Sequence, residues 1–291
     1  MSSDRRFSGP IDLHTHSRVS DGTESPAELV RAAATAGLGT VALTDHDSTA
    51  GWGEAAASAE AVGITLIPGM ELSTRIGWSS VHLLAYLFDP VNADLLDATA
   101  RIREARLLRA EQMVERISRD YDVTWDDVLA QTEPGATVGR PHIADALVAR
   151  GLAPDRSAAF AGILHWRAGY YQPHDAPEPL EAVRLVVAAG GVPVIAHPAT
   201  RSRADMQLEP VIGQLVDAGL FGLEIDHREN TPEGRVRLQR LAERYGLAVT
   251  GSSDYHGAGK PNRLAENTTA PEVLDAIIAR ATGSTPVFAA G

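Results

Sequence analysis

The sequence contains no cysteine among its 291 residues. This absence excludes disulfides, thiolate nucleophiles, iron–sulfur clusters and cysteine zinc sites. Any metal site must therefore be built from histidine, aspartate, glutamate or backbone oxygen. Long apolar segments are also missing, since the longest uncharged, mostly apolar run is Leu185–Ala196, too short to cross a bilayer. No apolar stretch follows Arg5 and Arg6, so we expect no secretory signal, no membrane association and a cytoplasmic protein.

Positive charge is scarce. The chain has 26 Lys and Arg against 38 Asp and Glu, which gives a net charge of −12. Proteins that hold long nucleic acids depend on Lys and Arg to neutralise phosphates, so the balance argues against that class. A small phosphorylated substrate is still compatible, because metal ions or a local group of arginines supply the positive field. The composition, 44% hydrophobic and 22% charged, is typical of a globular protein.

Seven short apolar, β-branched segments alternate with amphipathic stretches, a pattern that indicates parallel βα units. The predicted strands are Ile11–His16, Thr40–Asp45, Thr65–Glu71, Val81–Phe88, Val192–His197, Gly222–Asp226 and Ala248–Ser252. Ser25 and Glu28 form a capping-box pattern with Pro26 at the first helical position, so a helix is predicted to begin there. Thr231 followed by Pro232 predicts another helix start.

The alternation breaks between about Asp94 and Pro177, where no strand signal is found. We therefore predict an α/β barrel formed by residues 1–93 and 178–291, interrupted by a small inserted helical domain at residues 94–177. Its first helix, Leu95–Tyr121, carries Arg101, Arg103, Arg106 and Arg109, which we predict to form a solvent-exposed face.

Histidines and carboxylates recur at the strand ends. In the first strand a period of two places Asp12, His14 and His16 on one face. Barrels of parallel strands keep their chemistry at the carboxyl ends of the strands, where such residues meet. The candidate ligands are His14, His16, Asp21, His46, Glu71, His82, His197, Asp254 and His256. Burying so many imidazoles and carboxylates without a metal is costly, and their N and O donors suit Zn, Mn or Fe.

These motifs, in this order, resemble those of the PHP (polymerase and histidinol phosphatase) superfamily. The resemblance rests on Asp12-Leu13-His14-Thr15-His16, Ser20-Asp21-Gly22, Thr44-Asp45-His46-Asp47, Gly69-Met70-Glu71, Ala196-His197-Pro198 and Gly251-Ser252-Ser253-Asp254-Tyr255-His256. It extends from Ile11 to about Gly259, and the helical insertion follows the phosphatase branch. The resemblance implies a distorted (β/α)7, TIM-like barrel and a cluster of two or three divalent metal ions.

Carried over by the resemblance, one metal ion is bound by His14, His16, Glu71 and Asp254. A second shares Glu71 and adds His82 and His197, and a third is held by Asp21, His46 and His256. Some members have histidine where this chain has Asp21, so the third site departs from their pattern. A water bridging two such ions is the expected nucleophile, attacking phosphorus in line.

Four residues are candidate contacts for the substrate phosphate: Arg140, His142, Arg201 and His227. The alternative interpretation is structural, with Pro141 merely starting a helix and His227 an ordinary loop residue. The expected activity is hydrolysis of phosphomonoesters of small nucleotides: nucleoside 5′-monophosphates, nucleoside 3′,5′-bisphosphates or short 5′-phosphorylated RNA. The alternatives are a histidinol-phosphate phosphatase, a non-catalytic PHP module and, with less support, a metal-dependent amidohydrolase.

Overall fold

Seven strands form a single sheet that curls into a nearly closed barrel. In a computed structural model, which describes residues 9–200 and 208–289, the strands lie side by side in chain order. They are β1 (Ile11–Asp12), β2 (Thr40–Leu43), β3 (Thr65–Ile76), β4 (Ser79–Tyr86), β5 (Val192–Ala196), β6 (Gly222–Asp226) and β7 (Ala248–Gly251). Beyond β1, the backbone N–H of His16 donates to the carbonyl of Tyr255, beyond β7, over 2.8 Å. This bond brings the two edges together, and the predicted distorted α/β barrel is confirmed.

One strand, β4, runs against both of its neighbours, whereas the other pairs in the sheet are parallel. The expectation of uniformly parallel strands is therefore wrong at β4. The cause is the hairpin at Gly77, where φ of +56° suits a residue without a Cβ atom. Because β4 is reversed, His82, near its start, lies at the same edge as the carboxyl ends of the parallel strands.

Helices surround the barrel and fill the interval between β4 and β5. They are α1 (Pro26–Thr35), α2 (Trp52–Val62), α3 (Ala93–Ile117), α4 (Trp125–Leu129), α5 (Arg140–Ala149), α6 (Arg156–Ala161), α7 (Pro179–Ala188), α8 (Ile212–Asp217), α9 (Pro232–Tyr245) and α10 (Pro271–Arg280). The predicted capping box of α1 is present, with the Glu28 N–H donating to Ser25 Oγ and the Ser25 N–H donating to Glu28 Oε2. None of the described helices has the length and apolar composition needed to span a bilayer.

Residues 94–177 contain no strand. The helices α3 to α6 pack around a hydrophobic cluster of their own, which includes Met113, Ile117, Ile143 and Leu147. Separate clusters of buried side chains line the inside and the outside of the barrel. The helical segment thus has its own core, and α3 also contacts the barrel, since Arg106 donates to Ser73 on β3.

Candidate metal centre

The nine candidate ligands lie together at one end of the barrel and form what we call the central cluster. Its members are His14, His16, Asp21, His46, Glu71, His82, His197, Asp254 and His256, and each has a nitrogen or oxygen within 4 Å of another member. His14 and His16 lie on the same inward face, as the alternation in the first strand predicts, and both are fully buried inside the barrel. The carboxylate of Asp12 instead accepts hydrogen bonds from the backbone N–H groups of Ser253 and Ala265.

Four side chains converge on a single point at the centre of this cluster. The Nε2 atoms of His14 and His16 lie 3.0 Å apart. Glu71 Oε2 is 3.2 Å and 3.1 Å from these two atoms, and Asp254 Oδ1 is 3.4 Å and 3.3 Å from them. Two imidazole nitrogens that face each other at this distance can share only one proton, so a cation satisfies them better than a hydrogen bond.

The two oxygens of Glu71 face two different groups of imidazoles. Oε2 also lies 3.2 Å from His46 Nδ1. Oε1 accepts a hydrogen bond at 2.7 Å from His82 Nδ1 and lies 3.1 Å from His197 Nε2. A carboxylate placed in this way has the geometry to bridge two cations.

Asp21 lies at the outer side of the cluster. One of its oxygens is 3.2 Å from His256 Nε2, and the other is 3.7 Å from His46 Nε2. His46 therefore lies between Asp21 and Glu71, rather than with Asp21 alone. Within the described part of the chain, His46 Nδ1 and His256 Nε2 are buried and have no hydrogen-bond partner of good geometry. Buried imidazole nitrogens without a hydrogen-bond partner are typical of residues that bind a metal ion.

The electrostatics of the cluster favour added positive charge. Burial alone lowers the pKa of His16, but the carboxylates of Asp254 and Glu71 outweigh it and raise this pKa to about 9. Burial likewise raises the pKa of Glu71, yet the imidazoles of His82 and His14 hold it well below its ordinary value. The carboxylates thus remain ionised and attract cations. The donor set of imidazole nitrogens and carboxylate oxygens therefore fits divalent metal ions.

A residue that the sequence did not single out, Glu224, orients this cluster from below. Its Oε1 accepts from His14 Nδ1 at 3.0 Å, and its Oε2 accepts from the His197 N–H at 2.8 Å. A carboxylate on the second nitrogen of a ligating imidazole fixes the tautomer and the ring orientation. The available signal was an acidic residue flanked by the apolar Leu223 and Ile225 within a strand.

Backbone strain is concentrated around the cluster. Asp47, His197 and Asp254 adopt positive φ angles of +52°, +27° and +53°. Such conformations cost about 1–3 kcal/mol each in non-glycine residues and persist where surrounding bonds impose them. At Asp47 the bonds are visible, because its carboxylate accepts from both the N–H and the hydroxyl of Ser73.

The prediction of an exposed arginine face on α3 is wrong for Arg106 and Arg109, which are 5% and 7% exposed. Arg106 donates to Ser73 Oγ at 2.8 Å and lies 3.5 Å from Asp47, while Arg109 donates to His174 Nδ1 at 3.0 Å. Along α3, steps of four, three and four residues lead from Ile102 to Arg106, Arg109 and Met113. Both arginines therefore lie on the same face of the helix as the buried Ile102 and Met113. That spacing was the sequence signal that they face the barrel.

The four candidate phosphate contacts have different surroundings. The Arg140 guanidinium lies over the rings of Phe160 and Tyr171, 5.3 Å and 5.1 Å from their centroids. His142 caps α5, since its Nδ1 accepts from the Gly139 N–H, and it lines a separate cleft rather than the cluster.

His227 is fully buried, and its Nε2 lies 3.6 Å from Asp254 Oδ2 of the central cluster. The fourth candidate, Arg201, lies outside the described residues.

A cavity of about 440 Å³ connects the central cluster with the helical segment. Its walls include His46, His82, Arg106, Arg109, Arg140 and Lys260. Lys260 Nζ lies 2.7 Å from Asp254 Oδ2, so it extends the cationic wall to the edge of the cluster. The cavity is thus lined both by side chains of the central cluster and by guanidinium groups, and it is large enough for a small-molecule ligand.

Comparisons with known proteins agree with this geometry. A family model described as the PHP domain matches residues 12–120. A 3′,5′-nucleoside bisphosphate phosphatase from Chromobacterium violaceum is 34% identical over 254 residues, 87% of this chain and 89% of the relative. A 5′-3′ exoribonuclease from Haemophilus influenzae is 33% identical over 84% of this chain and 89% of its own length. A crystal structure from Bifidobacterium adolescentis, described as a metal-dependent phosphoesterase, has 45% identity and a TM-score of 0.89, and the match covers 94% of this chain and 98% of that chain.

Proposed function

Because the chain belongs to the PHP family of metal-dependent phosphoesterases, we propose that it hydrolyses the phosphomonoesters of small nucleotides. The substrates proposed are nucleoside 3′,5′-bisphosphates, nucleoside 5′-monophosphates and short 5′-phosphorylated RNA. The names of the relatives support this substrate class, since one is a nucleoside bisphosphate phosphatase and another an exoribonuclease.

The observation that carries the proposal is the pairing of the central cluster with the arginines across the cavity. Arg109 and Arg140 line the wall that faces His46 and His82. Phosphate oxygens are recognised by guanidinium groups through paired, charge-assisted hydrogen bonds. The cavity therefore offers a phosphorylated ligand cationic donors on one side and a metal-binding group on the other.

We propose that the cluster holds two or three divalent ions, of Mn, Fe or Zn. His14, His16, Glu71 and Asp254 would hold one, and Glu71, His82 and His197 a second. Asp21, His46 and His256 would hold the third. When bound, such ions lower the pKa of water and neutralise charge on the phosphoryl oxygens. The two-sided contacts of Glu71 support its assignment as the shared ligand.

The chain's own residues orient and enclose the substrate. Glu224 keeps His14 in one tautomer, and the Arg140 guanidinium lies over the rings of Phe160 and Tyr171 on the cavity wall, where it can meet a phosphate. We propose that residues 94–177 act as a cap domain over the barrel mouth, because α3 and α5 supply the arginines of the cavity wall. Enclosure excludes water and strengthens the charge interactions inside.

The proposal is tested by phosphate release from a panel of esters with added Mn²⁺: AMP, adenosine 3′,5′-bisphosphate, a 5′-phosphorylated dinucleotide, histidinol phosphate and a phosphodiester reporter. Preferential release from the nucleotides is expected. Preference for histidinol phosphate would contradict the proposed substrate class and favour the alternative phosphatase.

Arg140→Ala tests the substrate side of the cavity. Loss of a charge-assisted phosphate contact raises KM for the nucleotide about tenfold or more, with a smaller change in kcat. Arg119→Ala is the matched control, because Arg119 is exposed just after the end of α3 and, among the described residues, forms an exposed ion pair with Glu115 at 2.9 Å. Equal kinetics for the two variants would remove Arg140 from the substrate site.

A further inference from the structure

Two solvent-exposed tryptophans lie at the rim of the barrel mouth. Trp78 is 80% exposed and Trp166 is 62% exposed. Both line a cavity of about 920 Å³ that continues inward to His82 and His197 of the central cluster. Large aromatic side chains exposed around a cavity mark a binding surface, because leaving them in water forfeits the free energy of burial.

The two rings come from different parts of the chain. Trp78 follows Gly77 at the tip of the hairpin whose second strand carries His82. Trp166 begins a single 3₁₀ turn, residues 166–168, in which the Arg167 N–H donates to His165 Nδ1. The Arg167 guanidinium lies over the Trp166 ring, 4.6 Å from its centroid. The barrel thus supplies one ring and the helical segment the other.

Cationic groups line the path from this rim to the cluster. Arg140 and Lys260 border the same cavity as the two tryptophans, and both also border the 440 Å³ cavity. Aromatic platforms combined with cations along one groove are the chemistry that binds single-stranded nucleic acid, with bases stacked on the rings and phosphates on the cations. Two copies of this chain, each with a net charge of −12, repel each other overall, whereas a short phosphate-bearing strand can lie within the cationic cavity.

We propose that Trp78, Trp166 and Arg167, called here the tryptophan rim, bind bases of a short single-stranded oligonucleotide whose terminal phosphate reaches the central cluster. This inference rests on the proposed function and deepens it, because it assigns the residues that bind the nucleotides beyond the first in short 5′-phosphorylated RNA. The smaller cavity suits one nucleotide, and the larger one has room for those that follow. The acidic surface outside the cavity limits the ligand to a short strand.

The test compares binding of two ligands to the Mn-loaded protein, each as its hydrolysis-resistant phosphorothioate analogue: AMP and 5′-phosphorylated triadenylate. Wild type is expected to bind the trimer more tightly than AMP. Trp78→Ala and Trp166→Ala are each expected to weaken trimer binding about tenfold, as removal of one stacking ring does, and to leave AMP binding unchanged. Leu129→Ala, at an exposed leucine on α4, is the control.

A trimer in which the second and third residues are abasic separates stacking from phosphate contacts. It should bind wild type and both tryptophan variants equally. The inference is overturned if the variants bind the intact trimer as wild type does, or if they lose AMP and trimer alike. If wild type is oligomeric, and Trp78→Ala is monomeric but binds the trimer as wild type does, the rim is instead an interface between copies of this chain.

Failure of this inference is distinguishable from failure of the proposed function. If phosphate is released from AMP but trimer binding does not depend on the tryptophans, only the proposed role of the tryptophan rim is overturned. Tryptophan-dependent trimer binding without release of phosphate from any ester overturns the proposed hydrolysis and leaves the rim supported.

Discussion

At the residue scale, the arrangement around Glu224 explains how the central cluster keeps its geometry. Its two oxygens take one hydrogen bond from His14 and one from the backbone of His197, and Ser252 Oγ donates a third at 2.5 Å. Burial raises the pKa of Glu224, but the opposing effect of His14 and the neighbouring histidines is larger and lowers this pKa to about 2. Glu224 is therefore a fixed negative charge beneath the ligating imidazoles.

Glu224→Gln keeps an acceptor for His14 and removes the charge. Supporting carboxylates of this kind are worth about 10–100-fold in metal affinity or activity. We expect the Mn²⁺ concentration for half-maximal phosphate release to rise by that factor. The control is Glu233→Gln, on the exposed first turn of α9. An unchanged Mn²⁺ dependence would show that Glu224 does not tune the cluster.

We expect the buried His174 to make the free energy of unfolding depend on pH. Burial and the adjacent Arg109 lower its pKa to about 2, and its unprotonated Nδ1 accepts from Arg109. The unfolded chain takes up this proton below about pH 6.5 while the folded chain does not, so the contribution of His174 is constant above that pH and is lost as pH falls below it. The loss is about 1.4 kcal/mol per pH unit for one group.

His174→Asn retains an acceptor oxygen and has no proton to bind. Urea unfolding of both proteins at pH 7, 6 and 5 measures the difference. We expect wild type to lose stability more steeply than the variant below pH 6.5. Parallel curves would mean that His174 is protonated in the folded chain.

At the element scale, α3 is joined to the barrel through the buried pair of Arg106 and Asp47. Burial raises the pKa of Asp47, and Arg106 opposes that shift. The same Asp47 accepts from Ser73 on β3 and directly follows His46. The link therefore connects the helical segment to the loop that positions a cluster histidine.

Arg106→Met removes one partner of this pair and leaves the Asp47 carboxylate buried. Breaking a buried ion pair from one side costs about 3–5 kcal/mol, and we expect a loss of unfolding free energy of that size in urea. The double variant Arg106→Met/Asp47→Asn should recover a large part of it. A single variant as stable as wild type would contradict the link.

The sequence predicted the elements better than their contacts. The length of α3 and the cap of α1 follow from local periodicity and capping residues, which act over a few positions. The spacing of Arg109 with Ile102 and Met113 indicates that it lies on the buried stripe of α3, but its contacts depend on where α3 lies over the barrel, and no local pattern contains that information. The reversal of β4 likewise depends on the hairpin at Gly77. A strand signal alone does not show whether the preceding connection is a hairpin, which reverses the strand, or a crossover, which keeps it parallel.

At the scale of the whole molecule, the barrel brings together residues far apart in the chain. His14 and Asp254 meet because β1 and β7 close the sheet, and Glu71 joins them because it lies in β3 just beyond the residues that pair with β2, at the same edge. Placement of candidate ligands at strand ends predicted this meeting, since the carboxyl ends of parallel strands share one edge. The cationic wall was not predicted, because it comes from the packing of the helical segment over that edge.

The central claim is that divalent ions held by this cluster are required for hydrolysis of a nucleotide phosphomonoester. The most direct measurement is the initial rate of phosphate release from adenosine 3′,5′-bisphosphate as Mn²⁺ is titrated, for wild type and Glu71→Gln. We expect the wild-type rate to rise with Mn²⁺ and fall to background in chelator. The variant, which loses the charge of the shared ligand, should be slower by a factor of about 100 or more. Phosphate release that persists in chelator, or at the wild-type rate in Glu71→Gln, would contradict the account.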